Sequence, residues 1–438
     1  MLCTKVRHIA LELYSKYFSI FVQLSVRRMK IAVIFESSPF DRKGQFNAVH
    51  DRIRHLLETG ECEIDAYCLH SRDNFITRRI RGNPKAPVRE SVTIDGITYR
   101  ILWYRFSVLD HLMKEKLHGT PALFDRFVRR SASMFKEYDL IAAHSFEGGY
   151  MAMTIHSQYG VPFYVTWHGS DIHSHPVRNP YVLATTRRIM ESASLNIFVS
   201  KALMEVSSMI TDAAPKAVLY NGVSERFRKY DAASRDDLRR KYGVGPEEKV
   251  VAFVGNIYKV KNVEALPGIF HRINEEVEAN IQDSGQPWNE VKFWVVGDGK
   301  MRSQVEPAIR CAAGSEVVFW GNMPADEMPD MLNCVDVLVL PSRNEGLPLV
   351  LLEAIRCGAD TVGSEVGGVA EVIGKENTVP FRLSADGKPD YTGETFIDSF
   401  ALKVVNKLFK PASPVLSDEF DWKRTAHDEL SFVKEILK

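Results

Sequence analysis

The feature that most constrains the fold of this chain is a regular alternation of short apolar segments with longer helical patterns, which begins at Met29. The apolar segments are rich in Ile, Val, Leu and aromatic residues, as are the strands of a parallel sheet covered on both faces. Segment 97–104 follows Asp95 and Gly96 and is better explained as the second arm of a β-hairpin. We place the strands of this first series at 30–35, 63–69, 97–104, 140–143, 163–166, 195–199 and 217–219.

A polar, charge-dense stretch at 225–248 separates this series from a second one. Each series has the size of a doubly wound α/β domain, in which ligands bind outside the carboxyl ends of the strands. Two such domains facing one another would enclose a cleft between those ends. In the second series we place strands at 250–254, 292–296, 317–319, 335–340 and 361–362, and helices that begin near Asn262, Met301, Pro324 and Leu347.

Composition excludes some classes of protein and hides an asymmetry of charge. The 438 residues include 56 basic and 56 acidic side chains, but residues 1–228 hold 31 and 22 of them, so the two halves carry +9 and −9. No apolar run reaches the ~18–20 residues of a membrane-spanning helix. The six cysteines form no CxxC pair, which argues against a disulfide framework or a structural zinc site and predicts a cytoplasmic protein.

Residues 1–28 form a basic extension. Its apolar residues recur at helical spacing on one face, and its polar residues recur on another face. Such an amphipathic pattern suits an anionic membrane surface. The alternative is an upstream start codon that adds an extension without a role. Both interpretations remain open on sequence alone.

The stretch 338–358 carries the strongest indication of chemistry. A buried strand ends at Pro341, a polar loop follows, and the next helix is predicted to start near Leu347, with Pro348 in its first turn. The free N–H groups of that helix start suit an anionic ligand. Glu345 and Glu353 would then accept hydrogen bonds from hydroxyl groups on either side of the anion. The alternative is one carboxylate at a helix start and one in solvent.

In this stretch the sequence resembles glycosyltransferase family 4, the retaining nucleotide-sugar transferases of GT-B architecture with two Rossmann-like domains. The central match is the Glu-x7-Glu spacing of Glu345 and Glu353, set in PSRNEGLPLVLLEAIRCGADTV and followed by SEVGGVAEVI. Further matches occur in the order of the family: DLIAAHS, VTWHGSDI, FVS, LYNGVSERF, VAFVGNIYKVKN, VVGDGKMR and VVFWGNM.

The resemblance implies a role for each matching position. Glu345 would contact hydroxyls of the donor sugar, Glu353 would hold the ribose hydroxyls, and Lys261 would neutralise the diphosphate. The family's nearby Arg is Asn256 here, which supplies no charge, and Lys259 is the candidate to replace it. The implied catalytic residues are His168, Lys261 and Glu345, and the implied donor-binding residues are Gly44, Gly255, Asn256, Lys261, Met323, Arg343, Gly346, Leu347 and Glu353.

The implied reaction moves a sugar, most simply from a UDP-sugar, to a glycan or lipid-linked acceptor with retention of configuration. The departing phosphate would help to take the acceptor proton, since no second carboxylate pair for double displacement is evident. No DxD motif or His/Asp cluster is present, so neither a metal nor another cofactor is expected. The resemblance points to synthesis of capsule, exopolysaccharide or lipopolysaccharide.

The acceptor side is predicted from charge. We infer an anionic membrane surface as partner, and a peripheral location on the inner face of the cytoplasmic membrane. Nucleic acid is not expected, because no recognition motif accompanies the basic residues, and a solvated loop at 71–90 is the alternative. The basic residues, which all fall between 72 and 105, are Arg72, Arg78, Arg79, Arg81, Lys85, Arg89, Arg100 and Arg105.

The predicted organisation has four parts: an extension at 1–28, an acceptor domain at 29–228, a donor domain at 229–412, and a helix at 413–438 that crosses back to the first domain. Three alternatives to a transferase stay open. A dinucleotide-dependent oxidoreductase lacks its GxGxxG fingerprint here. A non-hydrolysing UDP-sugar epimerase would share the architecture. A non-catalytic nucleotide-sugar-binding subunit is suggested by Asn256.

Overall fold

The computed structural model describes the chain from residue 28 onward with short gaps, over residues 28–40, 44–73, 75–81, 87–281, 285–286, 288, 290–384, 387–412 and 414–438. The extension predicted at 1–28 lies outside these residues except for its last position, and so does Lys85 of the basic stretch. No helix of the described part is long and apolar enough to cross a membrane.

The first sheet has eight strands in the order β3-β4-β2-β1-β5-β6-β7-β8, and all are parallel except β3, which forms the predicted hairpin with β4. Its strands are β1 (Met29–Phe35), β2 (Cys62–Ser71), β3 (Ser91–Ile94), β4 (Ile97–Tyr104), β5 (Leu140–His144), β6 (Phe163–Trp167), β7 (Leu195–Phe198) and β8 (Lys216–Val218). Its helices are α1 (Gly44–Glu58), α2 (Phe75–Arg81), α3 (Val108–Glu115), α4 (Ala122–Ser131), α5 (Ser145–Tyr159), α6 (Ser170–His173), α7 (His175–Arg178), α8 (Pro180–Ser192) and α9 (Lys201–Ser207).

The second sheet has six parallel strands in the order β11-β10-β9-β12-β13-β14. Its strands are β9 (Glu248–Val254), β10 (Glu290–Val296), β11 (Val317–Gly321), β12 (Val337–Leu340), β13 (Asp360–Ser364) and β14 (Thr378–Val379), and a separate antiparallel pair is β15 (Arg382–Leu383) and β16 (Pro389–Asp390). Its helices are α10 (Ala232–Lys241), α11 (Leu266–Asn280), α12 (Arg302–Ala312), α13 (Met328–Cys334), α14 (Leu349–Arg356), α15 (Val369–Ile373) and α16 (Glu394–Phe409), and α17 (Trp422–Ile436) ends the chain. The prediction of two doubly wound sheets is confirmed.

Several predicted element starts are wrong by a few residues. The helix expected near Asn262 begins at Leu266, because Asn262 adopts a left-handed backbone (φ 52°) between two short 3-10 turns. The helix expected near Pro324 begins at Met328. The helix expected near Leu347 begins at Leu349, so Pro348 precedes its first turn.

The stretch predicted as a polar separator contains a helix, α10, that is fixed to the second sheet. Arg235 and Arg239 of α10 both form ion pairs of 3.0 Å with Asp336. Burial alone would raise the pKa of Asp336, but Arg239, Lys249 and Arg235 outweigh it and hold that pKa below its usual range. The charge density of this segment therefore reflects an ordered ion-pair cluster.

The last helix, α17, crosses back and packs on α1 of the first sheet. The contact centres on Glu429, which is buried and accepts from Arg52 at 2.9 Å and from the Tyr164 hydroxyl at 2.6 Å. Arg52 also donates to Asn221 at 3.0 Å. A side chain at Gly222 would overlap Trp422, so glycine lets the start of α17 approach.

A second link joins the two sheets through Glu371 of α15. Its carboxylate accepts from the backbone N–H groups of Lys201 at 2.8 Å and Ala202 at 2.9 Å, and from the Tyr220 hydroxyl at 2.8 Å. The second half of the chain thus caps the start of α9 in the first half, as a carboxylate at a helix N-terminus does.

Candidate active site

A cleft of about 390 Å³ lies between the carboxyl ends of the two sheets. The strand order reverses at β1 and β5 in one sheet and at β9 and β12 in the other, and crevices at such switch points are where doubly wound folds bind ligands. Every site residue predicted from sequence except Arg343 lines this cleft, namely Gly44, His168, Gly255, Asn256, Lys261, Met323, Glu345, Gly346, Leu347 and Glu353.

Lys261 and Glu345 form an ion pair on the wall of the cleft, with Nζ and Oε1 2.6 Å apart. The two residues follow β9 and β12, neighbouring strands of the second sheet. Among the described residues that line the cleft, Lys261 is the one lysine or arginine. An anionic ligand that enters must therefore compete with Glu345 for this charge.

Arg343 does not line the cleft, so the structure does not bring it together with the other predicted donor-binding residues. Its guanidinium donates to Asn262 at 3.0 Å, pairs with Glu264, and lies 4.5 Å from the ring centre of Tyr391. The side chain is held behind the loop that carries Lys261. The proposed replacement for the family's Arg is not supported either, because Lys259 is exposed and does not line the cleft.

His168 directly follows β6 and contacts a second histidine, His144, at the end of β5. The Nε2 atom of His168 lies 3.0 Å from Nδ1 of His144, and the rings stack. Burial, helped by the positive charge of Arg52, lowers the pKa of His168 to about 3 and that of His144 well below its usual range. Both rings are therefore neutral near pH 7, and one donates the hydrogen bond that the other accepts.

Gly346 brings the two halves of the site into contact. A Cβ atom at Gly346 would overlap the carbonyl oxygen of His168, and its own carbonyl accepts from the N–H of Gly368 at 3.1 Å. A Cβ at Gly367 would likewise overlap the carbonyl of Glu345. The paired glycines after β13 therefore allow the loop with Glu345 to lie between two backbones.

Glu353 faces the cleft from α14 without a hydrogen-bond partner in the described residues. Burial raises its pKa, Arg226 partly offsets this effect and Asp51 adds to it, and the pKa lies at about 7 as a result. Helix α1 begins at Gly44 and α14 at Leu349, so the amino-terminal ends of two helices reach the same cleft. Such ends offer free N–H groups to an anion.

Some cleft residues were missed from sequence. Gln45 and Asn47 line it next to Gly44, and Asn221 also lines it. His173 lies behind the loop that carries Glu345 and hydrogen-bonds Asn344 at 2.8 Å, and burial lowers its pKa to about 4. The run HGSDIH holds two histidines, His168 and His173, and the family resemblance assigns a role only to the first.

The described residues contain no group of three or more His, Cys, Asp or Glu side chains arranged to hold a metal ion. The positive partners for an anion that these residues offer are Lys261 and the two helix starts.

Comparison with known proteins identifies the family. A model described as Glycosyltransferase Family 4 matches residues 43–227, and one described as Glycosyl transferases group 1 matches residues 248–391. Together they cover about three quarters of the chain. The chain belongs to glycosyltransferase family 4. This confirms the resemblance seen in the sequence.

Relatives and solved structures agree with the family. A putative teichuronic acid biosynthesis glycosyltransferase of Bacillus subtilis is 28% identical over 54% of this chain and 56% of its own length. The match spans about half the length of this and other curated relatives. Sucrose-phosphate synthase of Thermosynechococcus elongatus has a TM-score of 0.69 at 18% identity, covering 93% of this chain and 99% of that one. HepE of Anabaena, solved with UDP-glucose, has a TM-score of 0.60 at 17% identity, covering 92% and 98%. The GT-B fold is thereby confirmed.

For this family 4 chain, Gly346→Ala is expected to lower kcat/KM for the donor by about 10²-fold, because the methyl group pushes the Glu345 loop away from His168 and misplaces the site. Gly245→Ala is the matched control, since its Cβ would meet only ordinary contacts. Steady-state kinetics of both variants measure the effect. Equal kinetics for Gly346→Ala and wild type would contradict it.

If Glu353 holds donor hydroxyls, as the family resemblance implies, donor binding is expected to depend on pH. Its pKa of about 7 leaves roughly a tenth of the carboxyl groups ionised at pH 6, and hydroxyl donors favour the ionised form. The donor Kd is expected to be about tenfold lower at pH 8 than at pH 6, measured by calorimetry. Glu353→Gln should bind more weakly at pH 8 and lose the slope. His168 and His173 stay neutral between pH 6 and pH 8. If the Kd of Glu353→Gln still depends on pH in this range, the pH dependence comes from a group other than these three residues.

Proposed function

We propose that this chain is a retaining glycosyltransferase that moves a hexosyl or N-acetylhexosaminyl group from a UDP-sugar to a glycan or lipid-linked acceptor of a bacterial surface polysaccharide. The observation that carries the proposal is the meeting of Lys261, Glu345 and Glu353 in one cleft with two helix starts. The teichuronic acid relative and the UDP-glucose complex of HepE support the choice of pathway and nucleotide.

In the proposed reaction the bond between the anomeric carbon and the β-phosphate oxygen breaks, and the acceptor oxygen attacks from the same face. The acceptor proton passes to the departing phosphate. Lys261, released from Glu345, and the N–H groups at the start of α14 stabilise the negative charge that develops there. Glu345 then accepts from sugar hydroxyls, and Glu353 from the ribose.

We assign the acceptor to residues 29–228 and the donor to residues 229–412. The first part supplies Gly44 and His168 to the cleft, whereas the second supplies Lys261 and both glutamates. Because Glu371 and α17 join the two parts, donor binding and closure are expected to act together.

The test is a panel of nucleotide sugars scored for hydrolysis by the purified chain, with NMR of the released sugar. Release of one sugar with its original anomeric configuration supports the proposal. Epimerisation of a UDP-sugar without acceptor would establish the epimerase instead, and binding of NAD alone would establish the oxidoreductase. Hydrolysis absent despite donor binding, and restored by Asn256→Arg, would identify a non-catalytic subunit.

A further inference from the structure

Two short helices of the first half present their apolar side chains to solvent and bury polar ones. In α2, Phe75 and Ile76 are 67% and 61% exposed, whereas Thr77 is fully buried. In α3, Leu109 is 67% exposed and Asp110 only 2%. A surface helix of a globular protein normally shows the opposite arrangement.

The inverted arrangement of α3 is fixed by hydrogen bonds. Asp110 and Ser107 form a capping box, and the Asp110 carboxylate also accepts from the N–H of Leu123 at 3.0 Å. Asn179 donates to the carbonyl of Lys114 at 2.8 Å. Rotation of α3 to bury its leucines would break these contacts, so the exposure is built into the fold.

Helices α2 and α3 lie next to each other, so their exposed side chains occupy neighbouring parts of the protein surface. We name this part of the surface the apolar-basic surface. Large exposed apolar side chains grouped in one region mark interaction sites. Its apolar members are Phe75, Ile76, Ile80, Leu109, Leu112 and Leu117.

Four basic residues lie next to these apolar residues in the sequence, and they outnumber the one exposed acidic residue of α3, Glu115. Arg72, Arg79, Arg105 and Lys116 are all exposed, and the ion pairs within the described part of the chain include none of them. Apolar side chains next to unpaired cations are typical of an interfacial membrane site. The apolar side chains enter the headgroup region, and the cations contact anionic lipid.

The apolar-basic surface lies at the same edge of the first sheet as the cleft. Helix α2 follows the carboxyl end of β2, α3 follows that of β4, and both strands run parallel to β1, which precedes Gly44. A lipid bilayer on this surface would therefore present molecules to the acceptor side of the cleft.

We propose that the apolar-basic surface docks this chain on a bilayer that contains anionic phospholipid, so that a lipid-linked acceptor reaches the cleft from the membrane. The supply of an acceptor from the membrane rests on the proposed function, whereas vesicle binding is measured without any enzyme activity.

The experiment is co-sedimentation of the full chain with vesicles of phosphatidylcholine and phosphatidylglycerol at 7:3, or of phosphatidylcholine alone. The wild type should bind the anionic vesicles at least about tenfold more strongly and release them in high salt. Leu109→Ser/Leu112→Ser and Phe75→Ser/Ile76→Ser should each lower binding about tenfold or more. The matched control, Met209→Ser/Leu402→Ser, changes exposed apolar residues elsewhere and should bind as wild type.

Three outcomes would overturn the proposal. The first is unchanged vesicle binding in both α2 and α3 variants. The second is loss of binding only in Phe18→Ser/Phe21→Ser, which would assign docking to the extension. The third is a wild-type dimer that Leu109→Ser/Leu112→Ser dissociates, which would assign the surface to self-association. Donor hydrolysis without vesicles should equal wild type in the surface variants. Its absence in the wild type, with vesicle binding intact, would reject the proposed function and leave docking standing.

Discussion

Replacement of Lys261 by methionine is expected to lower kcat by about 10²–10³-fold, the cost of removing one preorganised group that stabilises charge in a transition state. We expect a loss of kcat near the upper end of this range, because no other lysine or arginine of the described residues lines the cleft. Methionine keeps much of the side-chain volume, so the fall in kcat reflects the missing positive charge of Lys261. Turnover of the active nucleotide sugar, measured at saturating donor, gives the value.

Lys259→Met is the matched control for this variant. Lys259 lies two residues away, in the same 3-10 turn, but is exposed and does not line the cleft. It should keep kcat within about twofold of wild type. A loss of less than threefold in Lys261→Met, or an equal loss in both variants, would remove Lys261 from its proposed role.

Replacement of Glu429 by alanine is expected to cost about 3–5 kcal/mol of unfolding free energy. The change leaves the guanidinium of Arg52 buried without its carboxylate and removes the acceptor of the Tyr164 hydroxyl. The penalty is large because a lone buried charge cannot recover its hydration. Urea denaturation followed by circular dichroism measures the shift.

Glu435→Ala provides the control, since Glu435 lies on the same helix but is exposed. It should change the unfolding free energy by less than about 0.5 kcal/mol. If Glu429→Ala loses under 1 kcal/mol, then α17 is not held by this ion pair. If both variants lose the same amount of unfolding free energy, the substitutions have weakened the helix itself and not the Arg52–Glu429 ion pair.

The location of the site was predictable because motif positions follow buried strands. Lys261, Glu345 and His168 each come after a strand that the hydrophobic pattern identifies, and strands of a parallel sheet place their carboxyl ends at one edge. The meeting of the two sheets was implied by the family resemblance. The edge at which these residues lie thus follows from backbone topology, whereas the facing of the two sheets rests on the resemblance.

The direction of individual side chains was not predictable from the same pattern. Arg343 is two residues from Glu345 but points behind the loop, because the left-handed Asn262 offers it an acceptor and Tyr391 a ring face. Asn221 turns into the cleft because Arg52, distant in sequence, holds its amide oxygen. Such outcomes depend on tertiary partners that local spacing does not encode.

The contact of Glu371 with the start of α9 bridges the two halves of the chain, so its loss can be used to detect their separation. If the two halves separate, as the proposed function expects when a donor enters, the N–H groups of Lys201 and Ala202 lose the Glu371 carboxylate and become exposed to water. Hydrogen exchange at these two amides therefore reports the population of the open state. A bound donor that closes the cleft should slow their exchange, although neither residue lines it.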